Sequence, residues 1–314
     1  NYNKHLRKTM KSIILFNQAD QRTDQTHKTY TSPFISWDRQ AAVRSFVNTD
    51  DEWSNYSGYW MPTSADNILS HPLIPDAIKQ SLSAYLLIGS LDFTYDLEQK
   101  LISHVSSQLA SGTLLPDLPN DVKIDALKIQ CDEAFHALQA QRLATKVRQT
   151  SCVNPDHTLS CFLRFVAEVT NGSNLLSTEL LLFCAVVVSE TLITKSLRDD
   201  WRDSSLPNEI RHFFHLHYKD EVQHSLYFTW LLHHVCTTWS TATQQMISDL
   251  WPKFIDAYLD SDINIAKRAL QEFDLAGDLI NRIIHETYYQ PGSSYQIQRQ
   301  LSMVYTLKAF ERVK

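Results

Sequence analysis

Glycine is scarce in this chain: six residues in 314, against roughly 7% in an ordinary globular protein. Turn-rich all-β folds and glycine-looped dinucleotide-binding folds need more than that. A basic excess is also missing. With 29 Lys and Arg against 35 Asp and Glu, the formal charge is −6 and the isoelectric point is near 6.1. Neither a nucleic-acid footprint nor a polybasic membrane patch is present. No apolar run is long enough to span a bilayer. The longest, LLLFCAVVV, has nine residues and lies between Glu179 and Glu190, whereas a span takes about 20. No signal-peptide pattern opens the sequence, whose first stretch is polar and basic. There is no CxxC pair. Five cysteines, Cys131, Cys152, Cys161, Cys184 and Cys236, make an odd count, most of it in apolar runs, which reads as reduced thiols in a cytoplasmic chain.

What the chain does have is 43% hydrophobic residues arranged in long helical periods between polar breaks. Residues 1–75 read as an irregular extension with one short helix after Ser36, in SWDRQAAVRSF, and a proline-broken connector at 59–75. Residues 76–288 read as a helical domain, with helices over about 76–110, 120–149, 157–170, 174–199, 206–235, 240–260 and 262–288. A further helix, within 289–314, packs on the same domain. No solenoid period is visible. The expectation is an all-α protein built around two helix pairs.

One short pattern occurs twice. DEAFH at Asp132–His136 and DEVQH at Asp220–His224 each spell Asp-Glu-x-x-His inside a helical run. At about 100° per residue, Glu133 and His136 lie about 60° apart on one face. In the second run His217, Glu221 and His224 fall within about 60° of one another, while His212 and His215 turn to the far side. Alone, either motif is most simply a solvated surface pair. Together they match the plan of a di-iron carboxylate bundle, in which two other helices each supply one Glu. Glu98 fits, because it shares the stripe Leu91, Thr94, Tyr95, Leu101, Ile102 and Val105. Glu190 fits, because it closes the most apolar run, where a bare carboxylate is too costly to bury. Glu179 is its rival on nearly the same face.

The candidate metal ligands on these faces are therefore Glu98, Glu133, His136, Glu190, Glu221 and His224, with His217 on the same inward face as the last two. Asp132 and Asp220 are expected to accept the free N–H of the metal-bound His on the other motif, fixing its tautomer. Bridging carboxylates with imidazoles and open positions suit two irons and O2. Glu209 and His212 form a third Glu-x-x-His that faces away and reads as a solvated pair. His104, His233 and His234 match no ligand spacing. Phe93, Tyr95 and Phe135 read as core or pocket wall, with Phe93 and Tyr95 as candidate substrate contacts.

Residues 80–235 resemble the AurF-like family of di-iron N-oxygenases. The likeness rests on FTYDLEQKLISHV, CDEAFHALQ, VVVSETLITKSLRDDW and HLHYKDEVQHSLYF. A third ligand His, here His217, separates that group from other ferritin-like di-iron proteins. The resemblance implies a ferritin-like bundle, a seven-ligand site of Glu98, Glu133, His136, Glu190, His217, Glu221 and His224, O2 activation through a peroxo di-iron intermediate and a homodimer. It further implies an amine substrate, free or carrier-tethered, oxidised to hydroxylamine, nitroso or nitro in natural-product biosynthesis. An external electron donor, a reductase, is then required. Gln223 stands where the family pattern has an Arg, and Phe93 where a basic residue could hold an aromatic carboxylate, so p-aminobenzoate does not carry over as substrate. The same ligands suit a C–H hydroxylase or desaturase, or an iron-handling ferroxidase. A radical-generating subunit would need a Tyr about one turn after Glu98, where Leu101 and Ile102 stand.

Overall fold

Proline and serine punctuate the helices. Pro75, Pro119 and Pro207 are in extended geometry immediately before Asp76–Leu97 (α3), Asn120–Ser151 (α5) and Asn208–Cys236 (α8). Ser177 and Ser240 cap Thr178–Asp200 (α7) and Thr241–Glu272 (α9), each hydroxyl accepting a first-turn N–H, which satisfies an otherwise orphaned donor. Gly112, at φ 74, ends Ser103–Ser111 (α4) in left-handed geometry, which a side chain at that position would strain. The remaining helices are the short Trp37–Gln40 (α1) and Ala42–Ser45 (α2), Cys161–Gly172 (α6) and Gly277–Ile284 (α10).

This computed structural model describes residues 30–45, 56–61, 68–172, 176–293, 295–297, 299–301 and 304. Among them there is no strand, and the fold is an all-α, ferritin-like bundle. Ser32–Lys314 forms one compact unit. The chief helix pairs are α3–α4 with α5, and α7 with α8; α9 lies along α3, α6 and α7, and α5 also meets α8. The short connections 112–119 and 201–207 turn the chain back within each pair, as bundle loops do. α7 is the innermost helix: Leu181 and the run from Phe183 to Glu190 are each at most 1% exposed. A helix apolar all round belongs in a core. Leu87, Ile88 and Leu91 of α3 pack with Leu143 and Val147 of α5, Ile193 of α7 and Phe213 and Phe214 of α8.

Three departures from the sequence reading have physical causes. The helix expected over 76–110 contains one π-helical turn, Glu98–Ile102, with Ser103 N–H bonded to the Glu98 carbonyl. Such turns insert a residue and re-aim side chains, often at functional sites. The break expected near residue 261 is absent, and α9 runs unbroken to Glu272. Ser261 is buried there; its hydroxyl donates to the Ala257 carbonyl and accepts from Phe162 N–H at the start of α6. The chain turns instead at Phe273–Ala276, with Asp274 at φ 54. The short helix after Ser36 is two pieces, α1 and α2, hinged at extended Ala41. The N-terminal extension before residue 30 lies outside the described residues, as does most of the expected C-terminal helix.

No helix among the described residues is long and apolar enough to cross a membrane. All five cysteines are free thiols.

Candidate metal centre

Three helices and the π turn converge on one buried cluster. The π turn supplies Glu98, α5 supplies Glu133 and His136, α7 supplies Glu190, and α8 supplies His217, Glu221 and His224. All seven are at most 2% exposed. They fall into two groups, each with ligand atoms within 4.8 Å of one another: Glu98, His136, His217 and Glu221, and Glu133, Glu190, Glu221 and His224. Glu221 belongs to both. The rival Glu179 is exposed at the start of α7. Glu209 pairs with Lys146, away from the cluster.

The two Asp residues of the repeated motif cross over. His136 Nε2 lies 3.0 Å from Asp220 Oδ2, and His224 Nε2 lies 3.3 Å from Asp132 Oδ2. A carboxylate only accepts, so each Nε2 carries a proton and each Nδ1 turns to the cluster. His224 Nδ1 is 2.8 Å from Glu133 Oε1 and 3.2 Å from Glu221 Oε1. His136 Nδ1 is 3.5 Å from Glu221 Oε1. His217 presents its other nitrogen, with Nε2 3.3 Å from Glu98 and 3.2 Å from Glu221.

The cluster lacks internal satisfaction. Both oxygens of Glu98, Glu133, Glu190 and Glu221 are buried without a hydrogen-bond partner, as are Nδ1 of His136 and His224 and both nitrogens of His217. Close approaches are present, but no well-directed hydrogen bond serves these atoms. Buried polar atoms in native proteins are rarely left so, and four carboxylates at zero or 1% exposure would be severely destabilising without cations. Oxygen and imidazole donors around two adjacent centres fit two divalent irons.

Protons answer the same demand when metal is absent. Burial pulls the His217 imidazole down, but Glu221 and Glu98 outweigh it and push it up to about 9. Burial likewise opposes the charge on His224, yet Glu221 and Asp132 hold it well above the usual range. Burial pushes Glu221 up, and His224 and His217 more than reverse that, leaving it well below the carboxylate range. Burial, reinforced by Glu221, drives Glu190 well above it.

A cavity of about 20 Å³ abuts the cluster on the His136 and His217 side, walled by Ala42, Phe135, Gln139, Phe213 and Leu216. That is room for one water-sized guest. Of the two pocket residues named from sequence, Phe93 lines a separate groove with Tyr85, Cys161 and Arg268 that contains none of the seven cluster residues. Its ring packs edge-on to Tyr258. Tyr95 packs on the apolar cluster of α3, α5 and α8. Phe135 does line the cavity beside the cluster.

Sequence reasoning missed the segment that holds the two Asp residues. Trp37 Nε1 donates to Asp132 at 2.9 and 2.8 Å to its two oxygens. Ala42 N–H donates to Asp220 at 3.3 and 3.0 Å. The only local hint was the helix-forming stretch SWDRQAAVRSF, which contains Trp37.

The family model described as P-aminobenzoate N-oxygenase AurF matches residues 23–302. Among curated proteins none matches the chain.

Proposed function

The chain belongs to the AurF family of p-aminobenzoate N-oxygenases, an oxygenase family, and from that premise we propose that it is a di-iron enzyme oxidising an amine nitrogen with O2. The observation that carries the reading is the set of buried carboxylate and imidazole atoms that lack hydrogen-bond partners. Glu98, His136 and His217 would hold one iron, Glu133, Glu190 and His224 the other, and Glu221 both. When bound, the irons supply O2 reduction and delivery of one oxygen atom to nitrogen. The first step is then amine plus O2, two electrons and two protons giving hydroxylamine and water; further rounds give nitroso or nitro. The electrons come from an external reductase.

The protein's own residues prepare this chemistry. Asp220 and Asp132 hold the Nε2 protons of His136 and His224, which leaves each Nδ1 the nitrogen that would bind a metal. Phe135, Phe213 and Leu216 wall the cavity beside His136 and His217 and keep bulk water from the reacting atoms. The amine approaches from this side. Homodimeric assembly, a natural-product pathway and a cytoplasmic setting complete the proposal, the last supported by the five free thiols. The catalytic unit is the helical domain of residues 76–288.

The test is turnover of the Fe(II)-loaded protein with O2, a reductant and a panel of aryl and aliphatic amines, with products identified by mass. Oxygen on nitrogen is expected. A product oxygenated or desaturated at carbon would replace the proposal with C–H oxidation, and steady ferric accumulation with no organic product would replace it with iron handling.

A further inference from the structure

A single segment, Phe34–Ser45, reaches both Asp–His pairs of the centre. We propose that it is a positioning strap: Trp37, through Asp132, sets His224, and the backbone N–H of Ala42, through Asp220, sets His136. The inference rests on the dimetal reading above and goes beyond it. It assigns an orienting role to residues 95 and 178 positions away from the groups they hold.

The hydrogen bonds are complementary and leave little slack. Asp132 and Asp220 are at most 1% exposed, so their lone pairs must be filled by protein groups. One comes from a histidine Nε2–H in each case. The strap supplies the rest: an indole N–H straddling both oxygens of Asp132, and a main-chain N–H shared by both oxygens of Asp220. A carboxylate held from both sides cannot rotate freely, and neither can the imidazole that donates to it. The strap is seated by its own burial. Phe34, Ala41 and Ala42 are at most 2% exposed, and α2 packs on both α5 and α8. The Phe34 ring sits 5.9 Å from the His224 ring and 6.3 Å from Tyr227. Ala42 also closes the cavity beside His136.

Two anchors of different kind serve two metal positions, so the strap predicts site-selective effects. Trp37→Phe keeps an aromatic ring and removes only the donor to Asp132. Ala42→Pro removes the donor to Asp220 and sets a ring carbon against that carboxylate, displacing it. The backbone accepts proline there, because residue 42 opens α2 and Ala41 is extended, at φ −56 and ψ 146. The probe is Fe(II) loaded anaerobically into the full chain. Metal stoichiometry, release to a chelator and Mössbauer spectra are recorded, with Asp132→Asn and Asp220→Asn as references for each position. Melting of the metal-free variants separates folding from metal retention.

Direct loss of an orienting group costs about 10–100-fold in metal affinity; one step further out, about three- to tenfold faster release is expected. Trp37→Phe should speed release of one iron and alter one quadrupole doublet, the one that Asp132→Asn alters. Ala42→Pro should do so for the other. Wild-type release and spectra in Trp37→Phe would overturn the proposal, as would equal weakening of both irons alongside a lowered melting temperature. A wild-type chain that binds no pair of irons would overturn the dimetal reading itself. Two irons with an indifferent Trp37→Phe would overturn only the strap.

Discussion

The two halves of the centre share Glu221 and differ in almost everything else. The half with Glu98 has two imidazoles, His136 and His217, with ring centroids 4.1 Å apart, and it borders the cavity. The half with Glu133 and Glu190 has one imidazole and an extra carboxylate, the latter on the innermost helix. His136 and His224 each donate to an Asp, while Nδ1 of His217 is buried without a hydrogen-bond partner. One half is thus enclosed and held on every side. The other is open to a guest and contains one histidine, His217, that no Asp orients, its ring packed edge-on to Phe213. The proposed chemistry belongs on the open half, where a ligand can be exchanged without unpacking the core.

The largest effect that would break this comparison comes from the shared residue. Glu221→Ala should take the iron content from two per chain to none, by metal analysis after desalting. If one iron remains, Glu221 does not bridge the halves.

Glu190→Leu should come next. It removes a ligand from the enclosed half only, so one iron is lost and one retained. It also replaces a buried carboxylate with a group that suits the apolar α7, so the metal-free protein should gain roughly 1–4 kcal/mol, read by denaturant unfolding. A less stable metal-free variant would mean that Glu190 is already neutralised by a partner.

His217→Ala should leave the fold and the enclosed iron intact while the open-half iron and amine oxidation are lost. Metal analysis and turnover would check this together. Wild-type iron content with full turnover would remove His217 from the ligand set.

The smallest effect is a slope. Because Glu221 and Glu98 push His217 up to about 9, its nitrogen carries a proton below that pH, and a metal must displace it. Affinity at the open half should therefore rise with pH, about tenfold per unit, and flatten above about 9. Chelator competition from pH 6.5 to 9.5 would measure it.

Much of the site was legible because helices encode neighbours at short range. The turn of about 100° per residue brings His217, Glu221 and His224 to one face, and the structure brings the three together. Glu98 was found from its apolar stripe and Glu190 from the cost of burying it, although Glu179 was a rival until α7 was seen to expose it. The misses have a common cause. The π turn at Glu98–Ile102 changes the register within five residues, too few for periodicity to show. Ser261 looked like a break because its hydroxyl competes with helix hydrogen bonds, but in the fold that hydroxyl serves the start of α6. Phe93 and Tyr95 share a helix with Glu98, yet one faces a separate groove and the other the core.

By itself the sequence determined the helical class, the two paired motifs and the faces on which their carboxylates and imidazoles lie, since these follow from spacing along one chain. Only the tertiary structure decided that Glu98 and Glu190 come to the same cluster, that each Asp serves the other motif's histidine, and that Trp37 and Ala42 close around both. Those contacts join residues far apart in the chain, and one of them is made by a backbone N–H, a donor that nearly every residue carries and that therefore leaves no mark in the sequence.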